Sequence, residues 1–231
     1  MRIFLVRHGE SLGNTDKRHY QEIADHAMPL TEKGRQQGKA AGEFLRDYLA
    51  KEIQWADPHP HGNWPRMWVS PYTRARQTAD EIQAQLLVPG KRTALELLHD
   101  RREHLLLAEQ QFGALDGIAG EDVKAHYPAI AEAYDLAKAH GGKLFARAWG
   151  GESRFDVCVR VHQAFGTFQR DRDKHNIRDI IVVAHGTTCR AFAMMWLHHE
   201  YEWFDTQANP GNGSVRLIEA GIDKGYIHPG G

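Results

Sequence analysis

Two short apolar runs, far apart in this sequence, each end in a histidine followed by a glycine. Near the start the chain reads Leu5-Val6-Arg7-His8-Gly9-Glu10-Ser11, and toward the end it reads Val183-Ala184-His185-Gly186. A third run, Met67 to Val69, ends in Ser70-Pro71-Tyr72-Thr73-Arg74-Ala75-Arg76. An imidazole is a competent nucleophile toward phosphorus. Guanidinium forks match phosphate oxygens in bidentate fashion, and helix N-termini add backbone N–H donors. Arg7, His8, Arg74 and His185 gathered in one place would therefore make a pocket for a phosphoryl group. Their cations would offset charge on its equatorial oxygens during in-line transfer, so the reaction would need no metal ion.

Such a pocket exists only if the right elements carry these residues to one edge. Ile3 to Val6, Met67 to Val69, Ile180 to Ala184 and Ser214 to Glu219 read as strands, and the third is apolar enough to be covered on both faces. Helical patterns lie between them. Thr31 caps a helix to Glu52 with Ala41, Phe44, Leu45, Tyr48 and Leu49 inward. Ser70-Pro71 reads as the start of a helix to about Leu87. Ser153 caps a third helix, with Asp156 completing a capping box, and a fourth starts near Thr187. Alternating strands and helices predict an α/β fold of three layers, α/β/α, around a mostly parallel sheet. In such sheets ligands bind beyond the carboxyl ends of the strands, where Arg7, His8 and His185 fall. Gly9 is expected to permit a sharp turn there. The stretch from about 98 to 151 reads as helical without a clear strand, a cap or lid inserted in a single domain of residues 1–231. Gln54 to Pro65 reads as a surface loop.

These motifs resemble the histidine phosphatase superfamily, which includes cofactor-dependent phosphoglycerate mutases and many small phosphatases. The resemblance rests on Arg-His-Gly-Glu-Ser at 7–11, Ser-Pro-Tyr-Thr-Arg-Ala-Arg-Gln-Thr-Ala at 70–79 and Ala-His-Gly at 184–186, and it spans Met1 to about Glu219. It implies that His8 carries a phosphohistidine and that Arg7, Arg74 and His185 hold the phosphoryl oxygens. Asn14 falls where the family has an asparagine in its phosphate loop. The family also needs a carboxylic acid to protonate the leaving oxygen, within a Leu-x-Glu-x-x-aromatic-Gly segment. Here Leu107-Ala108-Glu109-Gln110-Gln111-Phe112-Gly113 fits. The resemblance thus assigns Glu109 as acid in the first step and base in the second. Glu103 is the alternative carboxylate, and Glu152, in Gly150-Gly151-Glu152-Ser153, is a candidate for support of the site.

Departures from the mutases point to hydrolysis rather than transfer. Gln110 follows the acid glutamate where those enzymes have arginine, and their later arginine pair is not evident in residues 117–150. The expected activity is that of an acid-type phosphomonoesterase acting on a small phosphorylated substrate without cofactor or metal. Phosphoglycerate mutase-type transfer and a non-catalytic phosphate-binding module are the alternatives. A net charge of −1 over 231 residues makes no electrostatic case for nucleic acid or an anionic membrane. No apolar run is long enough for a signal h-region or a membrane span. The two cysteines, Cys158 and Cys189, form no disulfide framework, so a cytoplasmic setting is expected, with monomer or dimer open.

Other chemically suggestive residues read more simply. His59, His61, His198 and His199 lack ligand-spaced partners and are expected to be surface or packing residues. Cys189 reads as a buried bystander, and Arg101-Arg102 and Arg170 to Lys174 as solvated helix ends. Arg190 could reach the site or pair with a carboxylate. Phe112, Trp149 and Tyr20 could wall the leaving group or belong to the core.

Overall fold

The structure is a computed structural model that describes residues 1–52, 65–86, 101–118 and 120–231. Its centre is a six-stranded sheet: β1 (Arg2–Arg7), β2 (Arg66–Val69), β3 (Arg101–Glu103), β4 (Asp179–Ala184), β5 (Val215–Glu219) and β6 (Ile222–His228), in the order β3-β2-β4-β1-β5-β6. The first four pair in parallel, β5 runs antiparallel to β1 beside it, and β6 returns antiparallel to β5. The expected three-layer α/β fold is present.

Period-two alternation explains the layering. Ile3 and Leu5 of β1, Trp68 of β2 and Ile180, Val182 and Ala184 of β4 enter one core. Phe4, Val6, Met67, Val69, Ile181 and Val183 enter the other. Helices α3 (Glu32–Glu52) and α4 (Thr73–Leu86) cover the second core, through Ala41, Leu45 and Leu49 and through Ala75, Ala79 and Ile82. Helices α7 (Arg154–His175) and α8 (Gly186–Leu197) cover the first, through Val157, Val161, Phe165 and Phe168 and through Phe192. The connections β1–β2 and β2–β3 move along the sheet in one direction and β3–β4 in the other. Right-handed crossovers then put α3 and α4 on one face and α7 on the opposite one. Further helices complete the chain: α1 (Leu12–Thr15), α2 (His19–Glu22), α5 (Gly120–His126), α6 (Pro128–Phe145) and α9 (Tyr201–Thr206). Among the described residues no helix is long and apolar enough to cross a membrane.

The caps follow the chemistry of their residues. Thr31 Oγ1 accepts the N–H of Gly34 at 3.0 Å at the start of α3. Ser153 and Asp156 exchange side-chain and backbone hydrogen bonds in the expected capping box of α7. The structure differs from expectation elsewhere. Residues 101–103, expected to be helical, form β3, an edge strand of Arg101, Arg102 and Glu103 paired in parallel with Met67–Val69. Its charged side chains suit an exposed edge and give no apolar period to read. Ser70 and Pro71 precede a helix that starts only at Thr73, and the Ser70 hydroxyl lies 2.7 Å from His185 Nε2. The return strand β6 carried no clear pattern. His59, His61 and most of the Gln54–Pro65 stretch lie outside the described residues.

Candidate active site

Parallel pairing of β1 with β4 brings the two histidines together. Arg7 stands opposite Ala184 in register, and the N–H of His8 donates to the Ala184 carbonyl at 2.9 Å. His8 and His185 therefore leave adjacent strand ends side by side, both buried, with ring centroids 5.1 Å apart and planes at 62°. Strand β2 flanks β4 on the other side, and the N–H of Ser70 donates to Val183 O at 2.9 Å. That alignment puts the Ser70 hydroxyl 2.7 Å from His185 Nε2. Helix α4, starting beyond β2, delivers Arg74 from its first turn.

Each ring is oriented by one of its nitrogens. His8 Nδ1 lies 2.7 Å from the carbonyl oxygen of Gly9, and since a carbonyl can only accept, Nδ1 carries the proton. Nε2 then holds the free lone pair, as a nucleophile requires. Burial, reinforced by the nearby guanidinium groups of Arg74 and Arg7, holds the His8 pKa well below its ordinary value, so the ring is uncharged at neutral pH. His185 is lowered in the same direction, first by burial and then by Arg74. Its Nε2 is engaged by Ser70, while its buried Nδ1 has no hydrogen-bond partner among the described residues. An unpaired buried polar atom is costly, and a phosphoryl oxygen beside it would supply the missing partner.

Gly9 is required by closeness rather than by a left-handed turn. A Cβ there would strike the backbone of Gly34 in α3, and one on Gly34 would strike that of Glu10. Two glycines thus let the His8 loop lie directly on the start of α3. Thr78 Oγ1 accepts the N–H of Gly9 at 3.0 Å, and Gln37 Oε1 accepts that of Glu10 at 2.7 Å.

The cations converge as their spacing suggested. Arg7 donates to the carbonyl of Pro210, and its buried Nε has no partner among the described residues. Arg74 is buried and spends Nη1 on Asp25, on the carbonyl at 2.6 Å and the carboxylate at 2.9 Å. Asn14 uses Oδ1 to accept from Ser11 N–H at 3.0 Å in the cap of α1, which leaves its amide N–H groups available as donors. Lys17, which no motif marked, is an exposed residue close enough to Arg7 and Arg74 for their charge to lower its pKa, though desolvation contributes more. It could have been found only as a cation a few residues beyond Asn14.

Glu109 stands at the same place. Burial raises its pKa, against the opposing effects of the Gln110 N–H, which donates to Oε1 at 2.9 Å, and of Arg74. A raised carboxyl is the form a general acid needs. The alternative, Glu103, is held on the surface in a two-pronged pair with Arg76 at 2.8 and 2.6 Å. Glu152, the candidate for support, is joined to the Glu109 segment through a residue that sequence reasoning missed. Arg160 of α7 grips Glu152 at 2.8 and 3.1 Å and donates to the carbonyls of Leu106 at 2.6 Å and Glu109 at 3.0 Å. Thr188 Oγ1 adds a bond to Ala108 O at 2.8 Å. Arg160 is thus a positioning residue for the Glu109 segment. Arg160→Met is expected to lower kcat toward an alkyl phosphate about tenfold, since small misplacements of an acid are costly, while changing KM little. Steady-state kinetics would show it, and an equal loss toward aryl and alkyl phosphates would deny the role.

The remaining candidates divide plainly. Burial pushes the Cys189 thiol up to about 12, which makes it an inert bystander as expected. Arg190 forms no ion pair with a carboxylate among the described residues. It donates to Gln207 O at 3.2 Å and lies over the Phe204 ring at 4.6 Å. His199 packs on Trp203 at 4.4 Å, and Arg101 and Arg102 belong to β3 rather than to a helix end. Phe112 and Trp149 are exposed and are not core. Among the described residues no three His, Cys, Asp or Glu side chains are grouped so as to hold a metal.

An α/β sheet with two histidines on adjacent parallel strand ends, beside arginines, is an arrangement suited to binding a phosphoryl group. Comparison with known proteins agrees. Residues 3–228 match the histidine phosphatase superfamily (branch 1), and the chain belongs to that superfamily. It is 32% identical over 233 residues to phosphoglycerate mutase-like protein AT74H of Arabidopsis thaliana, covering 97% of this chain and 76% of that protein. It is 26% identical over 282 residues to the broad-range acid phosphatase DET1 of Saccharomyces cerevisiae, covering 94% and 84%. A mycobacterial glucosyl-3-phosphoglycerate phosphatase, 22% identical, shares the fold with a TM-score of 0.67 over 94% of this chain and 92% of that one. Relatives of this chain are thus phosphatases and mutase-like proteins.

Proposed function

We propose that this protein is a phosphomonoester hydrolase of acid type that works through a phosphohistidine on His8. The observation that carries the reading is the setting of the His8 ring: buried, with its Nδ1 committed to Gly9 O and its Nε2 without a hydrogen-bond partner among the described residues, where burial lowers its pKa. In the first step Nε2 attacks phosphorus, the ester P–O bond breaks, and Glu109 gives its proton to the departing oxygen. Arg7, Arg74, His185 and the Asn14 amide hold the phosphoryl oxygens and counter their charge. In the second step the Glu109 carboxylate takes a proton from water, water oxygen bonds to phosphorus, and the P–N bond to His8 breaks to release inorganic phosphate. These residues need no metal to supply positive charge.

Hydrolysis is favoured over mutase-type transfer because Gln110, not a cation, follows Glu109, with its amide spent on the Glu152 carbonyl at 2.9 Å. The name of the yeast relative, a broad-range acid phosphatase, points the same way. In the stretch expected to serve as a cap, about 98 to 151, Gln111 and Asp116 line a cavity together with Tyr20, Asp25 and Tyr72. Both cysteines are free and buried, which fits a reducing, cytoplasmic setting.

The experiment is a rapid quench of the enzyme with a radiolabelled aryl phosphate. Label is expected on the protein in a form stable to base and lost in acid, as a phosphoramidate is. Turnover without any such labelled protein would exclude the covalent route.

A further inference from the structure

Beside the phosphoryl pocket opens a cavity of about 370 Å³ that the chemistry above does not use, at the small end of ligand sites. Tyr20, Asp25, His26, Tyr72, Gln111 and Asp116 line it. Its place is set by contacts with the reacting groups. Tyr72 packs edge-on against His185 with centroids 5.1 Å apart, Asp25 holds Arg74, and Gln111 lies two residues beyond Glu109. A group leaving phosphorus on the side of Glu109 would enter this space.

The lining has a distinct chemistry. It offers two tyrosine rings, two carboxylates, the His26 imidazole and an amide, and neither lysine nor arginine is part of it. Asp25 has its charge offset by Arg74 at 2.9 Å. Asp116 accepts the N–H of Phe112 at 3.1 Å and has no cationic partner among the described residues. Burial raises the Asp116 pKa against the opposing N–H of Phe112, and Asp25 is close enough to raise it further. Arg74 lies over the Tyr72 ring at 5.0 Å and Lys17 over the Tyr20 ring at 5.3 Å, so positive charge borders the phosphoryl side of the cavity, and Asp116 is the lining carboxylate that no cation answers among the described residues. Carboxylates and an amide oxygen accept hydrogen bonds from hydroxyl groups. They repel a second anion, and do so strongly where water is scarce.

We propose that this cavity receives the leaving group and selects a hydroxyl-rich, uncharged one, a polyol or sugar bearing a single phosphate, over a leaving group with a second anionic centre. The proposal rests on His8 being the site of phosphoryl transfer.

The test uses two compounds with one carbon skeleton, glucitol 6-phosphate and 6-phosphogluconate, which differ at the end far from phosphate by CH₂OH against a carboxylate. At pH 7 the full-length protein is expected to show kcat/KM at least about tenfold higher for glucitol 6-phosphate, the size of a single like-charge contact in a partly desolvated site. Asp116→Lys is expected to shrink that ratio at least about tenfold. A wild-type ratio of one or below overturns the proposal, and so does hydrolysis of an aryl phosphate with neither sugar-derived compound cleaved. If the aryl phosphate is not hydrolysed, it is the His8 reading that fails. The cavity is then read by thermal shift with the same two compounds, glucitol 6-phosphate being expected to stabilise more and equal or reversed shifts overturning the proposal.

Discussion

His8→Ala is expected to lower kcat toward an aryl phosphate by at least about 10⁴-fold, in line with removal of a nucleophile elsewhere. The loss should fall on kcat because the variant removes the atom that bonds to phosphorus and leaves the anion site standing. Arg7, Arg74 and His185 reach the pocket from their own elements, independently of the His8 ring. The loop itself is held by backbone bonds, His8 N–H to Ala184 O and Gly9 N–H to Thr78 Oγ1 at 2.9 and 3.0 Å, which alanine keeps. Inorganic phosphate should therefore still bind the variant within a few-fold of wild type. Calorimetric titration with phosphate, beside the turnover assay, separates this result from simple unfolding. Turnover near the wild-type rate would remove His8 from the mechanism.

The second large effect is expected at Glu109. Glu109→Gln preserves shape and the N–H contact from Gln110 but cannot carry the proton. Loss of a general acid costs about 10²–10⁴-fold, and the full loss should appear with alkyl phosphates, whose leaving oxygens are strongly basic. An aryl phosphate needs less protonation, so its first step should survive better than its second. Water still requires a base, and the phosphorylated enzyme should accumulate, visible as a burst of phenolate followed by slow turnover. The pH dependence has a definite sign. Glu109 acts protonated in the first step and its pKa is raised by burial. Activity toward alkyl phosphates should hold through the ordinary carboxylate range and fall as pH rises beyond it. The His8 pKa is lowered, so protonation of the nucleophile intrudes only at more acidic pH than for an ordinary histidine. The alkaline fall should be absent in Glu109→Gln. If Glu103→Gln alone reproduced these effects, the acid would be the wrong carboxylate, although Glu103 is held by Arg76 at the surface.

Much of this was legible before folding because the information is local. Apolar alternation in Ile3–Val6 and Ile180–Ala184 marks strands whatever surrounds them, and Ser153 with Asp156 marks a helix start through bonds spanning only three residues. The junctions at His8 and His185 announced themselves by residue type. What stayed hidden depends on partners distant in sequence. Strand β3 is charged throughout and pairs only because β2 offers an edge. Arg160 is one of many arginines until α7 lays it across the carbonyls of Leu106 and Glu109. Ser70 looked like a helix cap, yet its hydroxyl is taken by His185, 115 positions away.

The residues at the strand ends, His8 with Arg7, His185 and Arg74, were determined by the sequence alone, because phosphoryl chemistry restricts which side chains can serve. Their meeting was decided only by tertiary structure. Strand order places β4 between β1 and β2, so pairs such as Arg7 with Ala184 and Val69 with Val183 bring three strand ends to one edge. The same packing decided their protonation. A histidine in water has its ordinary pKa, whereas His8, buried between two guanidinium groups, is kept uncharged with its lone pair free.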